Sequence, residues 1–139
     1  MPQAEVNYLA VVVAAVLQMA VGAVWYSPLL FAERWVALMG WTKQEARKRQ
    51  QAGMAKAYGI AFAASLVTAW VLSLFVDYAY AETALQGLQA GALIWLGFVA
   101  TSWVTNAAFE GRPLQLVLIN AGYHLVSLAL MGVLLAVWA

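Results

Sequence analysis

Cysteine is absent from these 139 residues, histidine occurs once, and charged side chains make up only 9%. Without cysteine there is no disulfide framework, thiolate metal site or cysteine nucleophile. One histidine cannot build a histidine-rich metal centre, so no metal or other cofactor is expected. The shortage of charge excludes more. A soluble domain of this length must cover most of its surface with polar groups, and about 25% of its residues are typically charged. Seven basic and six acidic side chains fall short of that. A formal net charge of +1 offers no pull on a polyanion, so no nucleic-acid partner is expected. What is abundant is apolar: 65% of residues are hydrophobic, against ~45–50% in globular proteins. The composition is that of an integral membrane protein.

Four stretches carry no charge: 6–32, 57–76, 83–109 and 113–139. A hydrocarbon core of ~30 Å takes ~20 helical residues to cross, and each stretch is long enough. Backbone groups in lipid must be satisfied within the segment, and none of the four alternates with period two, so helices are expected rather than barrel strands. The expected fold is an all-α four-transmembrane-helix bundle with an interfacial amphipathic helix after the first span. The spans are placed at about 6–27, 57–76, 83–109 and 113–138, in one membrane domain covering 1–139. The first stretch lacks a basic region before it and exceeds the apolar core of a signal peptide, so it reads as a retained helix.

Basic residues give the orientation. Arg34, Lys43, Arg47, Lys48, Arg49 and Lys56 lie in the first connection and Arg112 in the third. The second connection has only Asp77 and Glu82, and Glu5 stands alone before the first span. The positive-inside rule then puts the 33–56 loop in the cytoplasm and both termini outside it. Aromatics fit belts at the two faces, with Tyr8, Phe75, Tyr78 and Trp138 outside and Trp25, Tyr26, Trp41, Tyr58 and Phe109 inside.

Pro28 ends the first span and is welcome at the first position of a new helix, with Ser27 as N-cap. The 28–39 run gathers Phe31, Trp35, Leu38 and Met39 on one face, as an interfacial helix would, with that face toward the lipid headgroups or the bundle, and Gly40 stops it. Thr42 and Glu45 have capping-box spacing, and the polar run that follows is expected to continue helically into the second span, loosened at Gly53. Arg47-Lys48-Arg49 reads as a topology anchor touching anionic lipid, with a cytoplasmic partner as the other reading. The turns at 77–82 and 110–113 are short, making the second and third spans neighbours, and likewise the third and fourth.

Three stretches carry a resemblance. They are Val6-Asn7-Tyr8-Leu9-Ala10, then Trp25-Tyr26-Ser27-Pro28-Leu29-Leu30-Phe31 with Trp35, and Phe109-Glu110-Gly111-Arg112-Pro113 followed by Gly122-Tyr123. In this order they resemble an uncharacterised bacterial inner-membrane family catalogued as a domain of unknown function (number seventeen-sixty-one). The resemblance covers nearly the whole chain and is most specific at Trp-Tyr-Ser-Pro. It implies a small four-span protein and brings no activity, ligand or catalytic residue.

Chemistry must therefore come from the residues. His124 lies near the middle of the fourth span with Asn120 at i−4, Ser127 at i+3 and Tyr123 beside it. Gln18, Ser65 and Thr68 fall at similar depth, and Thr101 and Ser102 somewhat nearer the cytoplasm. A polar layer fed by all four helices is expected, since intramembrane polar groups usually face one another. It reads either as a ligand or permeation layer or as hydrogen bonding that holds the helices in register. No carboxylate lies inside a span, so His124 is expected to be neutral, which speaks against a proton relay and acid–base catalysis. Gly87 and Gly91 have the spacing of a close helix contact, with Gly97, Thr101 and Thr105 continuing the small residues.

The function expected from these features is non-catalytic. The chain would be an oligomer-forming or accessory component of a bacterial inner-membrane assembly, contacting lipid or partner helices. The alternative is a homo-oligomeric channel or transporter for a small solute or ion, lined by the polar layer.

Overall fold

The computed structural model describes residues 6–51 and 53–138; the expectation for Glu5 lies outside them. Six helices and no strand occur among the described residues. Four are long and apolar enough to cross a membrane: α1 (Tyr8–Trp25), α4 (Ala55–Tyr78), α5 (Ala84–Glu110) and α6 (Leu114–Val137). Two short helices, α2 (Ala32–Leu38) and α3 (Lys43–Gln51), fill the first connection.

Local chemistry explains most boundaries. The Asn7 side chain accepts from Ala10 N at 3.2 Å and caps α1. Thr83 and Gln86 form a reciprocal capping box at the start of α5. Gly111 ends α5 in the left-handed region at φ +69, and Pro113 follows as the N-cap of α6. Three expectations need correction. The helix placed over 28–39 begins only at Ala32, because Phe31 N and Ala32 N bond back to the carbonyls of Trp25 and Ser27 and wind 27–31 into turns. The Ser27 hydroxyl donates to the Val24 carbonyl at 2.6 Å and does not cap the next helix. Nor does the polar run continue into the second span: Thr42 Oγ1 accepts from Glu45 N and opens α3, but Gly53 at φ +88 separates α3 from α4.

Helix α6 is the centre of the packing and contacts α1, α2, α4 and α5. Half of its apolar window is buried, against 6% of that of α5. The core joins Ala10, Ala14 and Ala15 of α1, Ala69, Leu72 and Val76 of α4, and Leu128, Met131 and Leu135 of α6. On α1 and α4 these fall at helical spacing, and small alanines let backbones approach where lipid supplies no hydrophobic drive. The neighbour rule from short turns holds for only one pair. Helices α5 and α6 pack extensively, while α4 and α5 barely meet, so α5 lies against α6 at the edge.

Helix α5 changes pitch midway, running as a π-helix over Trp95–Ala100. Steps of four residues drift about 40° around an α-helix. A wider π-helical stretch turns less per residue and takes part of that drift back, so Trp95 and Trp103 stay on the line that Gly87 and Gly91 begin and reach Ala121 and His124 of α6. Gly87 and Gly91 meet α6 at Gly132 and Leu128 without a side chain between the backbones. Gly97 does not share that contact: it is off this line and faces open space.

Candidate functional site

The residues that the structure draws together lie at the end of the helices where Glu110 and Arg112 sit. Asn120, one-third of the way along α6, is the hub. Tyr26 donates its hydroxyl to Asn120 Oδ1 at 2.8 Å, and Trp35 donates its indole N–H to the same oxygen at 3.1 Å. An indole nitrogen can only donate, so the atom facing Trp35 must be the amide oxygen. Both lone pairs of that oxygen are then taken. The amide nitrogen has no partner among the described residues and is not sealed off.

The neighbouring aromatics are locked in the same way. Trp25 donates to the Ile119 carbonyl at 2.9 Å and packs on Phe31, with ring centroids 4.9 Å apart. Trp35 meets Tyr26 and Trp41 edge-on, at 5.9 Å and 5.1 Å. Tyr26 also meets Tyr123 at 5.6 Å. Such edge-on pairs add about 0.5–1.5 kcal/mol beyond burial. Two glycines make room: a Cβ at Gly122 would stand 3.1 Å from Trp25, and one at Gly22 3.2 Å from Tyr123. Tyr26 lies just past the α1 span. Burial raises its phenol above the ordinary range, neighbouring Tyr123 adds to the shift, and the hydroxyl stays a donor.

Beside the hub is a cavity of about 300 Å³ between α2, the second half of α5 and α6. Its walls are Trp35, Met39, Trp103, Ala107, Leu116 and Val117; its polar groups are Asn106, Glu110, Arg112 and Asn120. Arg112 Nε donates to Glu110 Oε2 at 2.9 Å, and Nη1 points at the Met39 sulfur at 3.1 Å. Arg34 donates to Gln115 Oε1 at 2.8 Å and ties α2 to α6.

The mid-span polar residues are not gathered into one layer. Gln18, Ser65 and Ser127 are buried. Tyr123 donates to the Gln18 carbonyl at 3.3 Å, and His124 lies between Tyr123 and Trp103, 4.8 Å and 6.0 Å from their rings. Thr68 instead donates to the Ala64 carbonyl of its own helix. Thr101 and Ser102 lie on the exposed side of α5, each donating to the carbonyl four residues back. Arg47, Lys48 and Arg49 are exposed on α3, with the Arg49 guanidinium 4.1 Å over the Trp41 ring. Pro28 is exposed in the turn before α2. No group of three His, Asp or Glu side chains converges as a metal site among the described residues.

Gln18 Oε1 and Ser127 Oγ are buried without a hydrogen-bond partner among the described residues, although Ser127 lies beside the Tyr123 hydroxyl. Replacing Ser127 with alanine is therefore expected to change stability by no more than about 1 kcal/mol. A loss of more than about 2 kcal/mol in detergent unfolding would mean that the hydroxyl has a partner.

Sequence reasoning placed Trp25 and Tyr26 in the interfacial belt, left Trp35 facing either the headgroups or the bundle, and put Asn120 in the mid-membrane layer; Trp35 faces the bundle, and the network that joins the four was missed. The available signal was their shared depth near the Glu110–Arg112 turn. No curated protein and no solved structure matches the chain. A family model matches residues 9–136, and on that match the chain belongs to the family described as protein of unknown function (DUF1761).

Proposed function

We propose that this chain is a non-catalytic component of a membrane assembly, a four-helix transmembrane bundle that meets its partner through α5. One observation carries the reading: α5 is a membrane-length helix whose second half is left largely unpacked. Beyond the π-helical stretch it exposes Thr101, Ser102, Thr105 and Ala108. The Thr101, Ser102 and Thr105 hydroxyls rest on their own helix's carbonyls at 2.7–2.8 Å, and Gly97 leaves a flat place beside them. Association in lipid depends largely on close backbone approach, and the small residues on this side of α5 allow it. The partner is a second copy of the chain or a helix of a larger assembly.

In this reading the chain sits in a bacterial inner membrane. The 33–56 loop and Arg112 are cytoplasmic and the termini are outside, as the distribution of basic residues supports. Helix α2 lies in the cytoplasmic interface, and Arg47, Lys48 and Arg49 attract anionic headgroups, each by about 1 kcal/mol. The alternative, a homo-oligomeric pore lined by Gln18, Asn120 and His124, has weaker support, because Asn120 Oδ1 is taken by Tyr26 and Trp35 and His124 packs against Tyr123 and Trp103.

The absence of cysteine makes the test clean. A cysteine at Thr101 or Thr105 is expected to cross-link under mild oxidation in native membranes, to a second copy or to another chain, while one at the exposed Val67 of α4 stays monomeric. Cross-linking needs Cα atoms within about 7 Å. If Gly97→Cys, Thr101→Cys, Thr105→Cys and Ala108→Cys all remain monomeric, both under oxidation and when labelled with a thiol-linked photo-cross-linker that needs no cysteine on the partner, α5 has no protein partner and the reading fails.

A further inference from the structure

The cavity beside Asn120 has a chemical bias. Asn120 has spent its acceptor on Tyr26 and Trp35 and keeps its amide N–H groups. Arg112 directs Nη1 at a thioether, a weak acceptor for a guanidinium, and Nη2 is uncommitted among the described residues. The Asn120 amide and Arg112 Nη2 thus face the cavity without an acceptor among the described residues, while Glu110 is engaged through Oε2 by Arg112 Nε and Asn106 offers a donor and an acceptor alike. An acceptor-rich ligand fits such a site; a donor-rich one does not. Its walls are indoles, Leu116, Val117 and Met39, and it lies at the end of the membrane-length helices, beside the ion pair. That is the depth at which a bilayer presents its headgroups.

We propose that this cavity binds a phosphate group, with Arg112 and Asn120 as its donors and the Trp35–Trp103 walls against the less polar part of the ligand. The phosphate has two sources, a phospholipid headgroup seated from the bilayer or a phosphate-bearing solute from the adjoining aqueous phase. Glu110 acts as the counterweight. It competes for the guanidinium and repels the anion, so its removal favours the ligand.

The test is native mass spectrometry of the full chain in mild detergent, titrated with dioleoyl phosphatidic acid or with dioleoylglycerol, which has the same tails and no phosphate. Wild type is expected to retain the phospholipid and not the diacylglycerol. Arg112→Gln, at a half-exposed site, is expected to weaken retention about tenfold, the loss of one charge-assisted contact. Glu110→Gln is expected to strengthen it severalfold. A merely structural ion pair would make both substitutions act in the same direction. Displacement of the lipid by millimolar inorganic phosphate identifies a soluble ligand, and lack of displacement identifies the headgroup; the phosphate site stands in either case. Equal retention of the two lipids, or unchanged binding in Arg112→Gln, overturns it.

Discussion

Alanine at Gly87, Gly91 or Gly132 is expected to destabilise the protein by about 3 kcal/mol or more, at the upper end for an overpacked core. A Cβ at Gly87 would fall on the carbonyl oxygen of Gly132 and stand 2.7 Å from the Ala136 Cβ. One at Gly91 would fall on the Leu128 carbonyl, and one at Gly132 on that of Gly87. The obstacle in each case is backbone, so no side chain can swing aside. The whole α5–α6 contact must open, and it is the main attachment of α5. The sign makes the test sharp. In an unobstructed helix the same change stabilises by about 0.5–1 kcal/mol, because glycine loses more conformational freedom on folding. Gly59, exposed on α4 with nothing within 4 Å, is the control and is expected to show that gain. Unfolding in mixed micelles followed by circular dichroism would compare them. Gly87→Ala and Gly132→Ala are also expected to be less than additive together, since either one already separates the helices. Equal gains at Gly59 and Gly87 would mean that the backbones are not in contact.

That contact shows where the sequence stops being legible. The four long helices can be read directly, because a hydrocarbon slab imposes length and composition on each segment separately. Gly87 and Gly91 are visible as a pair for the same local reason. Their partner was harder to see, since Gly132 and Ala136 repeat the small-residue spacing with only one glycine and no hint of which helix they face. Gly97 misleads because a run of small residues does not reveal a change from α to π pitch between Gly91 and Thr101. The 28–39 segment was read too long for another reason. Pro28 is compatible with a helix start and with a turn, and hydrogen bonds back to Trp25 and Ser27 decide for the turn.

The Asn120 network belongs to the same class of non-local facts. Its partners are 94 and 85 residues away in the chain, and aromatic belts supply a sufficient local explanation for Trp25, Tyr26 and Trp35. The convergence changes the role of the first connection. Helix α2 is bound to α6 through Trp35 and Arg34, so the segment between the first span and the basic run is a structural wall of the cavity.

Asn120→Leu is accordingly expected to cost about 2–4 kcal/mol, although it makes a membrane helix more apolar. Two hydrogen bonds go with it. Single bonds in membrane proteins average only about 0.6 kcal/mol, so their loss alone would cost little more than 1 kcal/mol. The larger part comes from the donors left behind. The Tyr26 hydroxyl and the Trp35 indole N–H keep their need for an acceptor inside a packed aromatic cluster, and each stranded group costs about 1–3 kcal/mol. Removing the donors as well should therefore recover stability: Asn120→Leu with Tyr26→Phe is expected to be no worse than Asn120→Leu alone. The corresponding cycle should give a coupling of about 1 kcal/mol. Trp35→Phe is expected to behave like Tyr26→Phe, with a further loss from its packing on Trp41. If Tyr26→Phe and Asn120→Leu add without coupling, the hydroxyl has another acceptor and Asn120 is not the hub. If Asn120→Leu stabilises the fold, the amide is retained for its free N–H groups, and its place is in the cavity chemistry alone.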